Sequence, residues 1–296
     1  MQLKPDCIPC ILTMSIGAIR KLGLADAMVR TLFTDILSIP GLRGLEWSRT
    51  SPDIIEIVMK KICAAVNNDD PFHAEKIDLN RRVLKIYPFL KNVVKDSPDP
   101  LNAAAKISIL GNSIDFMMPE GTAVLEDFIV KKMETPLSTE EFKKFRQQLQ
   151  QTKRILLFAD NCGEIVCDRL FIETVKARYD IDFTVVVRHL PTLNDATVDE
   201  AIDAGLHEVA RVIDNGMDGP LPGTVLNRCA PDVRELVRCS DLIIAKGGGN
   251  FDSLEEALPF FRANHLKITF MLLSKCHPIG SYFGIGRHHP IIANFF

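Results

Sequence analysis

Apolar positions in the first half of the chain recur at three- and four-residue spacing; in the second half they gather into short continuous runs separated by amphipathic stretches. From Cys10 the repeat passes through Ile11, Met14, Ala18 and Leu22, the stripe of a helix with one buried face. Ser51-Pro52, followed by Asp53, opens a second helix through Ile54, Ile57, Val58 and Ile62. Asp99-Pro100 repeats that start signal ahead of 103–110. Ser138 with Glu141 three residues later predicts a capping box for a helix ending near Gln150. No β alternation precedes residue 150, so 1–150 is expected to form an all-helical cap domain.

Apolar, β-branched runs at 153–159, 182–188, 209–214, 241–246 and 267–273 then alternate with helical patterns at 165–178, 195–205, 231–238 and 253–263. Such alternation specifies a parallel sheet with helices on both faces. The expected class is α/β: a three-layer α/β/α, Rossmann-like, parallel-rich sheet over 151–296, with the N-terminal helical domain closing its carboxyl edge.

Ligands of open α/β sheets bind beyond the carboxyl ends of the strands. Asp160-Asn161-Cys162-Gly163-Glu164 follows the first run, and Arg188-His189 with Asn194-Asp195-Ala196-Thr197 follows the second. Asp214-Asn215-Gly216 ends the third, Lys246-Gly247-Gly248-Gly249-Asn250-Phe251-Asp252 the fourth, and Ser274-Lys275-Cys276 the fifth. Asp160, Asn161 and Asp195 are hard oxygen donors of the kind that suit magnesium or manganese. Lys246 and Lys275 would face a phosphate as point charges. The glycines at 247–249 let backbone N–H groups approach an anion at a helix N-terminus. Each feature also has a plainer reading. Asp195 can be a helix N-cap, and the triple glycine a turn. Gly111-Asn112-Ser113-Ile114-Asp115 can be a helix C-cap with its glycine left-handed, instead of an amide and a carboxylate brought to the sheet edge.

Composition narrows the function classes. The 296 residues are 47% hydrophobic and 25% charged, as in soluble globular proteins. A net charge of −3 offers no electrostatic case for nucleic-acid binding. No apolar run has the length of a membrane span, and the opening MQLKPDCIPC carries charge and proline where a secretory signal is apolar, so a cytoplasmic protein is expected. Eight cysteines are too sparse and irregular for a disulfide scaffold. Cys7 and Cys10 form the single CxxC pair; packing, metal binding and dithiol chemistry are all open to it, though no second CxxC or HxxxH supplies two further zinc ligands.

Taken together, the motifs resemble those of the damage-control phosphatase family. The matching residues are DN-x-GE at 160–164, NDAT at 194–197, Gly111-Asn112 with Asp115, KGGGNFDSLEEA from Lys246, and Lys275-Cys276. The CxxC pair is similar to that of the short, mostly prokaryotic branch. The resemblance implies a metal-dependent phosphatase acting on small phosphorylated molecules, sugar phosphates or damaged metabolites. It implies that Asp160, Asn161 and Asp195 hold a divalent ion (magnesium, manganese, cobalt or nickel) and that Asn112, Asp115 and Lys246 line the phosphate or substrate pocket. On this reading Asp160, Asn161, Glu164, Asp195 and Lys246 form the catalytic set, while Gly247, Gly248, Asn250 and Lys275 add phosphate contacts. Glu164 and Asp252 are the candidates for protonating the leaving alcohol. Where larger eukaryotic members differ after the lysine-glycine pair, this chain has Gly248-Gly249-Asn250-Phe251. Two rival readings stand beside it. One is an S-adenosylmethionine-dependent carboxyl methyltransferase, for whose Gly-rich turn Asn161-Cys162-Gly163 is a poor match. The other is a non-enzymatic metal- or nucleotide-binding module built on Cys7 and Cys10.

Overall fold

The computed structural model describes residues 1–114 and 122–296; Asp115 lies outside them. Before the first strand come α1 (Cys7–Lys21), α2 (Asp26–Leu37), α3 (Ser51–Val66), α4 (His73–Lys85), α5 (Tyr87–Asp96), α6 (Pro100–Gly111), α7 (Thr122–Met133) and α8 (Thr139–Leu149). The second half alternates: β1 (Arg154–Phe158), α9 (Glu164–Lys176), β2 (Asp182–Val187), α10 (Val198–Asp203), β3 (Arg211–Asp214), α11 (Pro231–Cys239) and β4 (Leu242–Lys246). It continues with α12 (Gly247–Glu255), α13 (Leu258–Ala263), β5 (Ile268–Leu273), α14 (His277–Tyr282) and β6 (Pro290–Phe295).

The six strands form one sheet in the order β3-β2-β1-β4-β5-β6. All neighbours are parallel except β6, which runs antiparallel along β5. The α/β class and the five parallel strands stand where the apolar runs predict them. β6 is an addition: a six-residue edge strand that opens on Pro290, a start compatible with strand only at an edge or first position.

Burial explains why the strands read as continuous apolar runs. Ile155, Leu157, Val185, Val187, Ile244 and Met271 share one core with α4 to α9. Leu156, Phe158, Val186, Ile243, Ala245, Phe270 and Leu272 point the other way, into a core with Val233, Val237, Phe251, Leu254 and Phe261. Alternate side chains thus enter opposite layers, and in β4 and β5 every side chain is buried. A third core, from Leu3 to Phe72, belongs to α1 to α3. The hydrophobic cores part after Phe72, and α4 to α8 pack on the sheet. α6 shows this most clearly: from Leu101 to Gly111 every residue but Asn102 is buried. A helix apolar all round belongs inside a core, and its alanines favour the helical state.

Two helix starts differ in detail. Thr50, not Ser51, caps α3, in a reciprocal box with Asp53. Ser138 accepts the Glu141 N–H at 3.3 Å, but the Glu141 carboxylate turns to the Asn294 N–H of β6 at 3.0 Å. No helix among the described residues is long and apolar enough to cross a membrane.

Candidate active site

Sheet order reverses between β1 and β4, the place where doubly wound sheets open a crevice. β1 leads into the 160–164 turn, whose Gly163 takes φ +79° to start α9. β4 leads at once into α12, which begins at Gly247 and not near residue 253. Glycine's poor helix propensity hides that start in the sequence. The contact demands it: a Cβ on Gly247, at φ +76°, would lie 1.8 Å from Asp160 Oδ2.

Backbone bonds staple the first two motifs together. Asn161 and Asp195 form an antiparallel bridge. The Cys162 N–H reaches Asn194 O at 2.8 Å, and the Ala196 N–H reaches Asp160 O at 2.9 Å. From α4, the Asn80 side chain accepts the Gly163 N–H at 2.7 Å and donates to Glu200 O at 2.9 Å.

Side chains then converge. The Asn112 amide donates to Asp160 Oδ2 and Glu164 Oε2, both at 2.7 Å. Asn161 donates to the same two oxygens at 2.8 and 3.4 Å. Asn112 therefore reaches the sheet edge; it caps α6 in the right-handed conformation at φ −63°, not through a left-handed glycine. Arg188 lies between the two aspartates, with Nε on Asp195 Oδ2 at 2.6 Å and Nη2 on Asp160 Oδ1 at 3.3 Å. Its Nη1 donates to Asn250 Oδ1 at 3.1 Å, while the Asn250 amide donates to Ala159 O and Lys246 O.

Lys246 has a different place from the one its position suggested. Its ammonium is fully buried, 2.6 Å from both Glu164 Oε1 and Asp168 Oδ1 and 3.0 Å from Ser108 O. It lies behind Glu164, bound to residues of α6 and α9, and presents no free proton to a phosphate. Lys275 is exposed and close enough to act on the charge of Asp160. Gly248 is half-buried at the start of α12, against Ile279.

Arg188, Asp168 and Ser108 were given no role by the sequence. Arg188 follows an apolar strand just as Lys246 does. Asp168 stands four residues after Glu164, and Ser108 four before Asn112, so each shares a helix face with a residue already singled out.

The donor set can be tested for a cation by counting charge. Asp160, Glu164, Asp168 and Asp195 are buried together with Lys246 and Arg188, which leaves two carboxylates in excess. Burial pushes Asp160 well above the usual carboxylate range, and the charges of Asp195 and Glu164 push it further. Burial also raises Asp195, against the pull of Arg188. Buried anions need a partner or a metal. The all-oxygen set at 160, 161 and 195 fits a hard divalent ion.

A second acidic group lies on the other side of the 160–164 turn. Asp70, His73 and Glu200 bring three possible metal-ligand atoms within 4.8 Å of one another. Lys76, fully buried, already sits there, 2.7 Å from Asp70 and 2.9 Å from Glu200.

Residues 3–289 match the damage-control phosphatase ARMT1-like domain. The chain belongs to that family. It is 29% identical over 294 residues to an uncharacterised protein of Methanocaldococcus jannaschii, covering 96% of this chain and 93% of that one. It is 29% identical over 220 residues to a damage-control phosphatase of Pyrococcus horikoshii, covering 74% and 73%. A damage-control phosphatase of Archaeoglobus fulgidus is 27% identical over 233 residues, covering 77% of each chain. The crystal structure of a DUF89 family protein from P. horikoshii superposes with a TM-score of 0.85 at 21% identity, covering 98% of both chains, a likeness of fold.

Proposed function

We propose that the chain is a phosphatase that hydrolyses small phosphomonoesters, with a divalent metal ion held by Asp160, Asn161 and Asp195. The observation that carries this reading is the excess of buried carboxylates directly under the N-terminus of α12. A helix N-terminus attracts an anion, yet an anionic phosphate and the Asp160 carboxylate repel each other unless a cation lies between them. Relatives named damage-control phosphatases support the same chemistry.

The residues divide the work. Asp160, Asn161 and Asp195 supply oxygen ligands; Asn161 presents its oxygen when its amide turns over, since the two amide atoms exchange on a half-turn of the group. With a divalent cation bound, the site gains a Lewis acid for a phosphoryl oxygen and a lower pKa for water. The first N–H groups of α12 and the exposed Lys275 ammonium face the negative oxygens of the substrate. Arg188 fixes the separation of Asp160 and Asp195. Lys246 and Asp168 lock Glu164, which in turn aims the amides of Asn112 and Asn161. Lys246 is thus a positioning residue and not a phosphate ligand.

Phosphate release from a panel of sugar phosphates and phosphopantetheine, with magnesium, manganese, cobalt or nickel added to chelator-stripped protein, tests the proposal. Turnover should require a cation and disappear in Asp160→Asn and Asp195→Asn. Release without any cation, or full activity in both variants, would refute it.

A further inference from the structure

The buried Arg188 guanidinium divides its nitrogens between two kinds of acceptor. Nε and Nη2 lie on the carboxylates of Asp195 and Asp160, at 2.6 and 3.3 Å. Nη1 lies on neutral oxygens, Asn250 Oδ1 at 3.1 Å and Thr224 Oγ1 at 3.4 Å. The Asn250 amide is held in this orientation, because its Nδ2 donates to Ala159 O at 2.9 Å and Lys246 O at 2.8 Å. The Thr224 hydroxyl donates to the same Oδ1 at 2.8 Å. Asn250 and Thr224 are both fully buried, so they anchor the Nη1 end of the guanidinium. Asn250 also belongs to the first turn of α12, whose leading N–H groups have no partner within the helix. Arg188 is thus tied at one end to the helix that faces a phosphate. At the other it occupies carboxylate oxygens that a cation would need.

We infer that Arg188 is a charge switch in this site: it competes with the cation for Asp160 and Asp195, and it turns to the substrate phosphate once the cation is bound. The inference rests on the reading of Asp160, Asn161 and Asp195 as cation ligands. Two carboxylates with one guanidinium leave a single negative charge. A dication turns that into a single positive charge crowded against the guanidinium, and a phosphate dianion reverses the sign again. Pivoting on Nη1 takes Nε and Nη2 off the carboxylates, and the planar fork matches two phosphate oxygens. Cation and phosphate then support each other's binding, and by linkage the support is mutual. Arg188 repels the cation and attracts the phosphate, so its removal must move the two affinities in opposite directions. A residue that only spaced the aspartates would not do this.

Two titrations of Arg188→Gln beside the wild type test the inference: magnesium into chelator-stripped protein, and inorganic phosphate into magnesium-saturated protein. The variant should bind magnesium about tenfold more tightly and phosphate about tenfold more weakly, within the usual range for coupling between two sites. Magnesium affinity that stays the same or falls in the folded variant would overturn the inference, and so would unchanged phosphate affinity. A second measurement needs no variant. In wild-type protein carrying isotope-labelled arginine, the Nε–H that Asp195 accepts should resist exchange in the stripped protein. It should lose that protection with magnesium and regain it when phosphate follows. A protected resonance indifferent to magnesium would overturn the inference however the variant folds. Wild-type protein that binds magnesium and releases phosphate, matched by Arg188→Gln in both titrations, sinks the inference alone. If neither protein binds magnesium, the cation reading of Asp160, Asn161 and Asp195 falls with it.

Discussion

Beside α4, Asp70 and Glu200 hold the Lys76 ammonium at 2.7 and 2.9 Å; across the 160–164 turn, Asp160, Glu164, Asp168 and Asp195 share ion pairs with Lys246 and Arg188. The second cluster is buried throughout, whereas in the first Glu200 and Lys76 are buried and Asp70 is half-buried. Their ionisation differs. Thr197 and Lys76 hold Glu200 below the usual carboxylate range in spite of its burial, and its partners raise Lys76. Asp160 and Asp195 move the other way, because their burial is not repaid. The cluster with the tighter grouping of ligand atoms is the one already satisfied. Uncompensated charge, and not crowding of acids, marks the place where a cation is wanted.

Substitutions that remove one charge at a time separate the two clusters. Lys246→Met should do the most damage, since it strands Glu164 and Asp168 in the core; the expected loss is about 3–5 kcal/mol in denaturant unfolding. A loss below about 1 kcal/mol would mean that Lys246 does not neutralise that pair. Asp160→Asn should lower phosphate release by roughly 100-fold or more, a cost comparable to losing one key electrostatic contact, yet leave stability equal or higher. Glu200→Gln should do the reverse: activity retained, with about 1.5–3 kcal/mol of stability lost as Lys76 gives up a charged partner. Equal destabilisation by both carboxylate changes would erase the distinction drawn here.

Much of this contrast was legible in the chain, and part was hidden for definite reasons. Strands buried on both faces must be apolar throughout, so β1, β2, β4 and β5 showed themselves, and so did the polar residues that end them; β3, exposed at Arg211 and half-buried beyond it, showed through its β-branched Val212-Ile213. Asp160, Asn161, Asp195 and Asn250 were singled out that way. The partners of Lys246 were not, because a strand end reveals nothing of which helix will lie over it. The burial of α6 beside α9 decided that. Arg188 read as an ordinary strand end until Asp160 and Asp195 closed on either side of it. β6 escaped because a short antiparallel edge strand opening on proline carries little periodic signal.

A smaller difference should appear against pH. Asp160 and Asp195 have raised folded pKa values, so their cluster is penalised progressively as pH rises from the ordinary carboxylate range through those values. Glu200 is depressed, so its contribution is complete above the ordinary range and is lost as pH falls through the folded value. Melting temperatures across acid to neutral pH should therefore show a shallower acid loss in Glu200→Gln and a shallower loss on raising pH in Asp160→Asn. Stabilisation by added divalent cation should grow with pH, as protons leave the competing carboxylates; an opposite trend would count against ligation by Asp160 and Asp195.

Calorimetric titration of manganese(II) into chelator-stripped wild-type, Asp160→Asn and Glu200→Gln proteins tests most directly which cluster takes the cation. Wild-type and Glu200→Gln should bind alike, and Asp160→Asn should lose the binding. Retained binding in Asp160→Asn together with its loss in Glu200→Gln would place the ion beside α4 and contradict the assignment.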